Sequence, residues 1–147
     1  MDIIKAALAD VALVAPLFDA YRVFYGQASN LALAEEFIAE RLANNESVIL
    51  LAVDNSGNAL GFTQLYPSFS SVSAARIWVL NDLFVSANAR RQGVATQLMH
   101  AAKELGIKTG VKGLALETGV NNVNAQRLYE SLGYVKESGS YHYFLNL

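Results

Sequence analysis

The chain has 147 residues, 53% of them hydrophobic and 16% charged, with a formal net charge of −2. That length fits one domain spanning 1–147, and a chain this apolar with so little net charge folds rather than staying disordered. The charge balance excludes a nucleic-acid binder working through a basic face, and the lack of cysteine excludes a disulfide scaffold, a thiolate zinc site and a cysteine nucleophile.

The opening residues Met1-Asp2-Ile3-Ile4-Lys5 carry no cationic leader ahead of an apolar stretch. The apolar runs 11–18 and 48–53 fall well short of the ~20 residues of a membrane-spanning helix. A soluble protein of the cytoplasm, with no membrane partner, is the expectation.

Ile3, Ile4 and Ala6 suit a short first strand. Asp10 suits a helix N-cap, and Leu13, Val14, Leu17, Phe18, Tyr21 and Phe24 follow at helical spacing. Pro16 either kinks that helix or delays its start, and Gly26 ends it. Ser29 or Asn30 caps a second helix that buries Phe37, Ile38 and Leu42. Residues 48–53 form an unbroken apolar run, the pattern of a strand covered on both faces. A turn at 54–58 leads into a strand over 59–66, and the Ser-rich stretch 67–73 reads as a loop. A long strand over 76–85 is interrupted by Asn81 and Asp82, poor strand formers that mark a bulge. From Gln92 a helix buries Val94, Leu98, Ala101, Ala102 and Leu105, and Gly106 or Gly110 ends it. Residues 114–116 predict a short buried strand, 121–132 a last helix stopped by Gly133, and 134–136 with 141–145 two closing strands. The order predicts a mixed sheet in an α/β (α+β) domain.

The sharpest local feature is Arg90-Arg91-Gln92-Gly93-Val94-Ala95, set between a strand and an amphipathic helix. Free backbone N–H groups and the positive end of the helix dipole meet there, which suits a diphosphate. Gly93 and Ala95 keep the approach open, and Arg90 and Arg91 add charge. No Gly-Lys-Ser/Thr follows and no Gly-x-Gly-x-x-Gly is present, so neither a P-loop nor a dinucleotide fingerprint is indicated. The alternative is a plain helix start with two solvated arginines.

A second segment, 122–134, carries Asn122, Ala125, Leu128, Tyr129, Gly133 and Tyr134. With Arg90, Gly93 and Ala95 it resembles the GNAT superfamily of N-acetyltransferases, matching that family's pyrophosphate turn and its Asn-x-x-Ala-x-x-Leu-Tyr-x-x-x-Gly-Tyr helix. The resemblance covers nearly the whole chain. It implies a centrally splayed sheet of six to seven strands flanked by four helices. It also implies acetyl-CoA as co-substrate, held along Leu83, Phe84 and Val85 by its pantetheine arm and at Arg90, Arg91, Gln92, Gly93, Val94 and Ala95 by its pyrophosphate. Within that resemblance Tyr129 is the acid for the leaving thiolate, in place of a core aromatic, and a homodimer is expected.

Asp82 stands in a strand otherwise suited to burial, so it binds or deprotonates a substrate ammonium or serves as a hydrogen-bonded structural residue at the bulge. Asn122 and Asn124 suit the pantetheine arm or helix capping, and Glu117 is a weaker candidate base. Family layout puts Tyr21, Arg22 and Tyr25 on the acceptor side with Asn81, whose place is commonly Glu in the spermidine/diamine branch; Asn there argues against a polyamine. Arg22 suits an acceptor bearing a carboxylate. The acceptor is open among small amines, amino acids and a protein lysine or N-terminus. His100 and His142 share no metal-ligand spacing, and no metal is expected. The rival to a catalytic N-acetyltransferase is an acetyl-CoA-binding sensor without turnover.

Overall fold

The computed structural model describes residues 1–147, which divide into two compact units, Met1–Leu116 and Glu117–Leu147.

The first unit is built on β1 (Asp2–Lys5), β2 (Val48–Val53), β3 (Ala59–Ser70), β4 (Ala75–Val85) and β5 (Leu114–Ala115), in the order β1-β2-β3-β4-β5. All neighbours are antiparallel except β4 and β5, which run parallel. The helices are α1 (Val11–Phe24), α2 (Leu31–Ala43) and α3 (Val94–Thr109). Strand alternation puts Ile49, Leu51 and Phe62 on one face, in a core with Val14, Ala15, Phe18, Ala34 and Ile38. Leu50, Leu65 and Leu80 alternate to the other face, where α3 brings Val94, Leu98, Met99 and Ala102. Both faces are therefore covered, as the apolar run of β2 predicts.

The α1–α2 corner is tied by Asp19, whose carboxylate accepts from the Ser29 hydroxyl (2.6 Å) and the Asn30 N–H (2.8 Å). Asn30 caps α2 by accepting from the Leu33 N–H. Asp10 does not cap α1 with its side chain, which instead accepts from the Ala7 N–H at 2.7 Å. Pro16 lies inside α1 without delaying its start, forfeiting one N–H on an exposed turn.

Three expectations need correction. The 67–73 loop is mostly strand, since β3 continues to Ser70. Pro67 is tolerated because β2 pairs with β3 only as far as Leu65, leaving an edge where the missing N–H breaks no ladder. The strand at β5 is half-buried rather than buried. The sheet has five strands, not six to seven: residues 132–147 contain none, because an apolar alternation becomes a strand only where a second backbone lies alongside to pair with it.

The second unit contains α4 (Val123–Ser131). Asn122 caps it by accepting from the Ala125 N–H at 3.3 Å. Gly133, at φ 94°, closes its C-terminal turn, and the Tyr134 N–H reaches back to the Tyr129 carbonyl. The four helices match the expected number.

Candidate functional site

The site in the first unit begins with the bulge. Gln64 pairs with Asp82 and Leu65 with Leu80, so Asn81 is the extra residue. The Asp82 side chain sits on the α1 face, 2% exposed. Its carboxylate accepts from the Gln64 amide (2.6 Å) and the Asn81 amide (2.7 Å). Gln64 is held in turn by the Ser47 hydroxyl, which donates to its amide oxygen at 2.8 Å. The Thr63 hydroxyl donates to the Asp82 carbonyl. Burial pushes the Asp82 carboxyl above the ordinary carboxylate range, although its donors Asn81 and Gln64, and the nearby Tyr21 hydroxyl, pull the other way.

Two phenols flank this carboxylate. The Tyr21 hydroxyl donates weakly to the Asn81 carbonyl (3.4 Å), and burial together with the Asp82 charge raises it well above its ordinary value. The same two causes push Tyr66 up to about 12. Tyr25 packs edge-on to Tyr21 at 5.0 Å and is largely exposed. Asn81, expected to bind substrate, is engaged in orienting Asp82. Gln64, Ser47 and Tyr66 escaped the sequence reading. The signal was Thr63-Gln64, two polar residues inside an apolar strand, of which Gln64 pairs with Asp82.

Downstream, β4 holds Leu83, Phe84 and Val85 against Thr63, Phe62 and Gly61 on one side. On the other side β5 pairs only with Trp78 and Val79, so the β4 edge from 80 to 85 has no strand neighbour. That is a row of backbone donors and acceptors ready for an extended ligand. Gly61 is required there: a Cβ would lie 2.7 Å from the Phe84 carbonyl oxygen.

This edge runs through a 3-10 turn (Ala87–Ala89) into the start of α3. Gly93 is the N-cap, at φ 78°, and no side chain caps the helix. The positive φ, not crowding, demands glycine, since a Cβ would meet nothing within 4 Å. No side-chain cap bonds to the N–H groups of the first turn. Arg90 is tied back, its Nε donating to the Val85 carbonyl and its guanidinium 5.8 Å over Phe84. The Arg91 side chain is exposed, and its backbone is also left-handed at φ 62°. Gln92 donates to the Asn88 carbonyl. Val94 is buried and anchors the turn, and Ala95 is half-buried. A diphosphate with an extended arm fits this arrangement.

In the second unit Tyr129 is half-buried on α4, its ring 6.1 Å from that of Tyr134. Asn122 is engaged in capping, and Asn124 is exposed on the first turn. Glu117 and His142 form an exposed ion pair at 2.5 Å. No group of three or more His, Cys, Asp or Glu side chains is placed to hold a metal, and no helix is long and apolar enough to cross a membrane.

Comparison with known proteins extends the picture. Residues 14–134 match the Acetyltransferase (GNAT) family. The chain is 51% identical over its full length to an uncharacterized N-acetyltransferase of Bacillus subtilis, YhfO, covering 98% of that protein. It is 34% identical to a probable acetyltransferase of Haemophilus influenzae, over 91% of this chain and 90% of the relative. The crystal structure of a probable acetyltransferase matches with a TM-score of 0.93 and 42% identity, covering 100% of this chain and 98% of the other. The uncapped helix start and the open strand edge thus occur in a chain that belongs to the GNAT family of acetyltransferases, whose co-substrate is acetyl-CoA.

Proposed function

We propose that this acetyltransferase moves the acetyl group of acetyl-CoA to a primary amine by direct attack, with Asp82 and Tyr129 as its proton-handling groups. The observation that carries the reading is the continuous ligand track in the first unit. An unpaired β4 edge leads into an uncapped helix start, and a buried carboxylate stands at the bulge where the edge begins.

An alkyl-ammonium, with an ordinary pKa of about 10.4, must lose a proton before it attacks. Asp82, lifted by burial and oriented by Gln64 and Asn81, accepts that proton through water. The amine nitrogen then bonds to the thioester carbonyl carbon, whose oxygen draws a hydrogen bond from a backbone N–H of β4. As the C–S bond breaks, the nitrogen gives up its second proton to solvent water and the thiolate takes the phenolic proton of Tyr129, which solvent restores. Leu83, Phe84 and Val85 hold the pantetheine arm, and the 90–95 turn holds the pyrophosphate. Asn122 and Asn124 flank the arm, Asn122 by fixing the start of α4.

Arg22 narrows the acceptor. It lies in the last turn of α1. Its guanidinium suits an acceptor bearing a carboxylate, which favours amino acids or a peptide terminus over simple polyamines.

The test is a turnover screen over amines, amino acids and peptides, read by thiol release; the chain has no cysteine to add background. Tyr129→Phe should lower kcat by ~10²–10⁴-fold while leaving acetyl-CoA affinity unchanged. A Tyr129→Phe variant as fast as the parent removes the acid role. Tight acetyl-CoA binding with no turnover on any acceptor would favour a sensor.

A further inference from the structure

A buried glutamine can lie in either of two orientations. The two ends of its amide are alike in size, one donating and one accepting, so hydrogen-bond partners rather than packing choose between them. Gln64 is fully buried in β3, between Asp82 of β4 and Ser47, the residue just before β2. Its Nε2 donates to Asp82 Oδ2 at 2.6 Å, and its Oε1 accepts from the Ser47 hydroxyl at 2.8 Å. Ser47 and Asp82 are buried as well, so water does not readily replace a missing partner anywhere along this row. Ser47 and Gln64 are 17 residues apart, and only the strand register joins them.

The orientation of the amide decides what Asp82 can do. An N–H aimed at an ionised carboxylate makes a charge-assisted hydrogen bond. A reversed amide would set a carbonyl oxygen against a carboxylate oxygen, an arrangement that survives only if Asp82 keeps a proton. The Ser47 hydroxyl anchors the amide oxygen on the side away from Asp82. Its donation also polarises the amide and strengthens the N–H that faces the carboxylate. Asn81 holds the other oxygen, its amide nitrogen 2.7 Å from Oδ1, so donors on two different oxygens fix the carboxylate plane. The titratable groups bearing on Asp82 are the Tyr21 phenol from α1 and the Tyr66 phenol from β3, and Arg41 and Glu46 bear on Tyr66 in turn. These groups face Asp82 whether or not position 47 carries a hydroxyl.

We propose that Ser47 is a positioning residue for acetyl transfer: through Gln64 it keeps the donor end of a buried amide against Asp82, and so holds that carboxylate oriented and ready to take a proton. The inference rests on the reading of Asp82 as acceptor of the ammonium proton. Ser47 acts at one remove, through Gln64, and the strands that carry the row are rigid supports for it.

The test follows the Asp82 carboxyl itself. In full chain carrying ¹³C-labelled aspartate, its carboxyl resonance is assigned by its loss in Asp82→Asn and titrated in the parent and in Ser47→Ala. The midpoint should rise in Ser47→Ala, because the charged form loses support that the neutral acid does not need. The low-pH limb of kcat/KM should move the same way, with a loss on the order of tenfold along it, while acetyl-CoA affinity stays that of the parent. A second pair controls for packing and for a poorly folded alanine variant. Ser47→Thr and Ser47→Val have nearly the same shape, and only threonine keeps the hydroxyl. Ser47→Thr should follow the parent, and Ser47→Val should follow Ser47→Ala. A midpoint unmoved by Ser47→Ala and Ser47→Val, or displaced equally by Ser47→Thr and Ser47→Val, overturns the role of Ser47. A midpoint that moves while the rate limb stays put retires Asp82 as the proton acceptor, and the part of Ser47 in the reaction with it. The carboxyl resonance tells the two failures apart.

Discussion

Gly93 and Gly57 form a matched pair for testing the diphosphate turn. Both have left-handed backbones, at φ 78° and φ 80°, and at neither would a Cβ meet an atom within 4 Å. Gly57 lies in the β2–β3 turn, where its N–H donates to the Asp54 carbonyl. Replacing either by alanine imposes the same left-handed strain, about 1 kcal/mol. For a chain of this length that lowers Tm by roughly 2–4 °C. The stability loss should therefore be equal in the two variants. Affinity should not be. At Gly93 the added methyl stands in the space the N-terminus of α3 leaves open, and it displaces a phosphate oxygen from at least one charge-assisted hydrogen bond of ~1.5–3 kcal/mol. At 1.4 kcal/mol per tenfold, Gly93→Ala should bind acetyl-CoA roughly 10–150-fold more weakly, with Gly57→Ala unchanged. Thermal melts and isothermal titration calorimetry with acetyl-CoA read the two quantities separately. Equal affinities in the two variants would refute the assignment of the turn.

Gly61→Ala should also weaken acetyl-CoA binding, because its Cβ would press on the Phe84 carbonyl and shift the β4 edge; urea denaturation should show a loss of about 1–3 kcal/mol, and none would count against the close approach. Asp82 gives a pH test. Burial raises its pKa, so the folded state holds that proton more tightly than the unfolded chain does. Its contribution is full below the ordinary value of 3.8 and is lost as pH rises through the raised one. Against Asp82→Asn, which cannot titrate there, the parent should lose stability as pH rises above the ordinary value of 3.8; a relative gain would reverse the sign. Asn30→Ala removes the α2 cap and should cost about 1 kcal/mol in the same assay, with acetyl-CoA affinity unchanged.

Much of the first unit is legible in the chain because its signals are local. The 48–53 run, the Asn30 cap and the bulge at Asn81 each follow from neighbours in sequence. The 90–95 turn is equally local, although the reason for Gly93 is its backbone angle and not the room it saves. What was hidden depends on pairing across the sheet. Gln64 becomes a partner of Asp82 only through the shifted β3–β4 register, and Pro67 becomes acceptable only where β2 stops pairing. The strands expected at 134–136 and 141–145 fail for the same reason. Alternation specifies which side chains would share a face, not whether a second backbone is there to pair with.

The bulge itself separates packing from chemistry. Leu80 and Asp82 lie on opposite faces although they are two apart, because Asn81 is inserted between the pairs Leu65–Leu80 and Gln64–Asp82. Deleting Asn81 would make residues 80 and 82 sequence neighbours, which alternate anyway. Leu80 would still face α3 and Asp82 would still face α1, so no core side chain changes sides. Asn81 is exposed, and packing gains nothing from it. What it supplies is the 2.7 Å donor to Asp82 and the carbonyl that takes the Tyr21 hydroxyl. Deletion of Asn81 should therefore leave the unfolding free energy within about 1 kcal/mol of the parent. Turnover should fall on the order of 10²-fold, since Asp82 loses an orienting partner and the β4 edge shifts against the ligand. A deletion variant that fails to fold would show that the insertion serves the ladder, and one that turns over at the parent rate would show that Asp82 needs no such positioning.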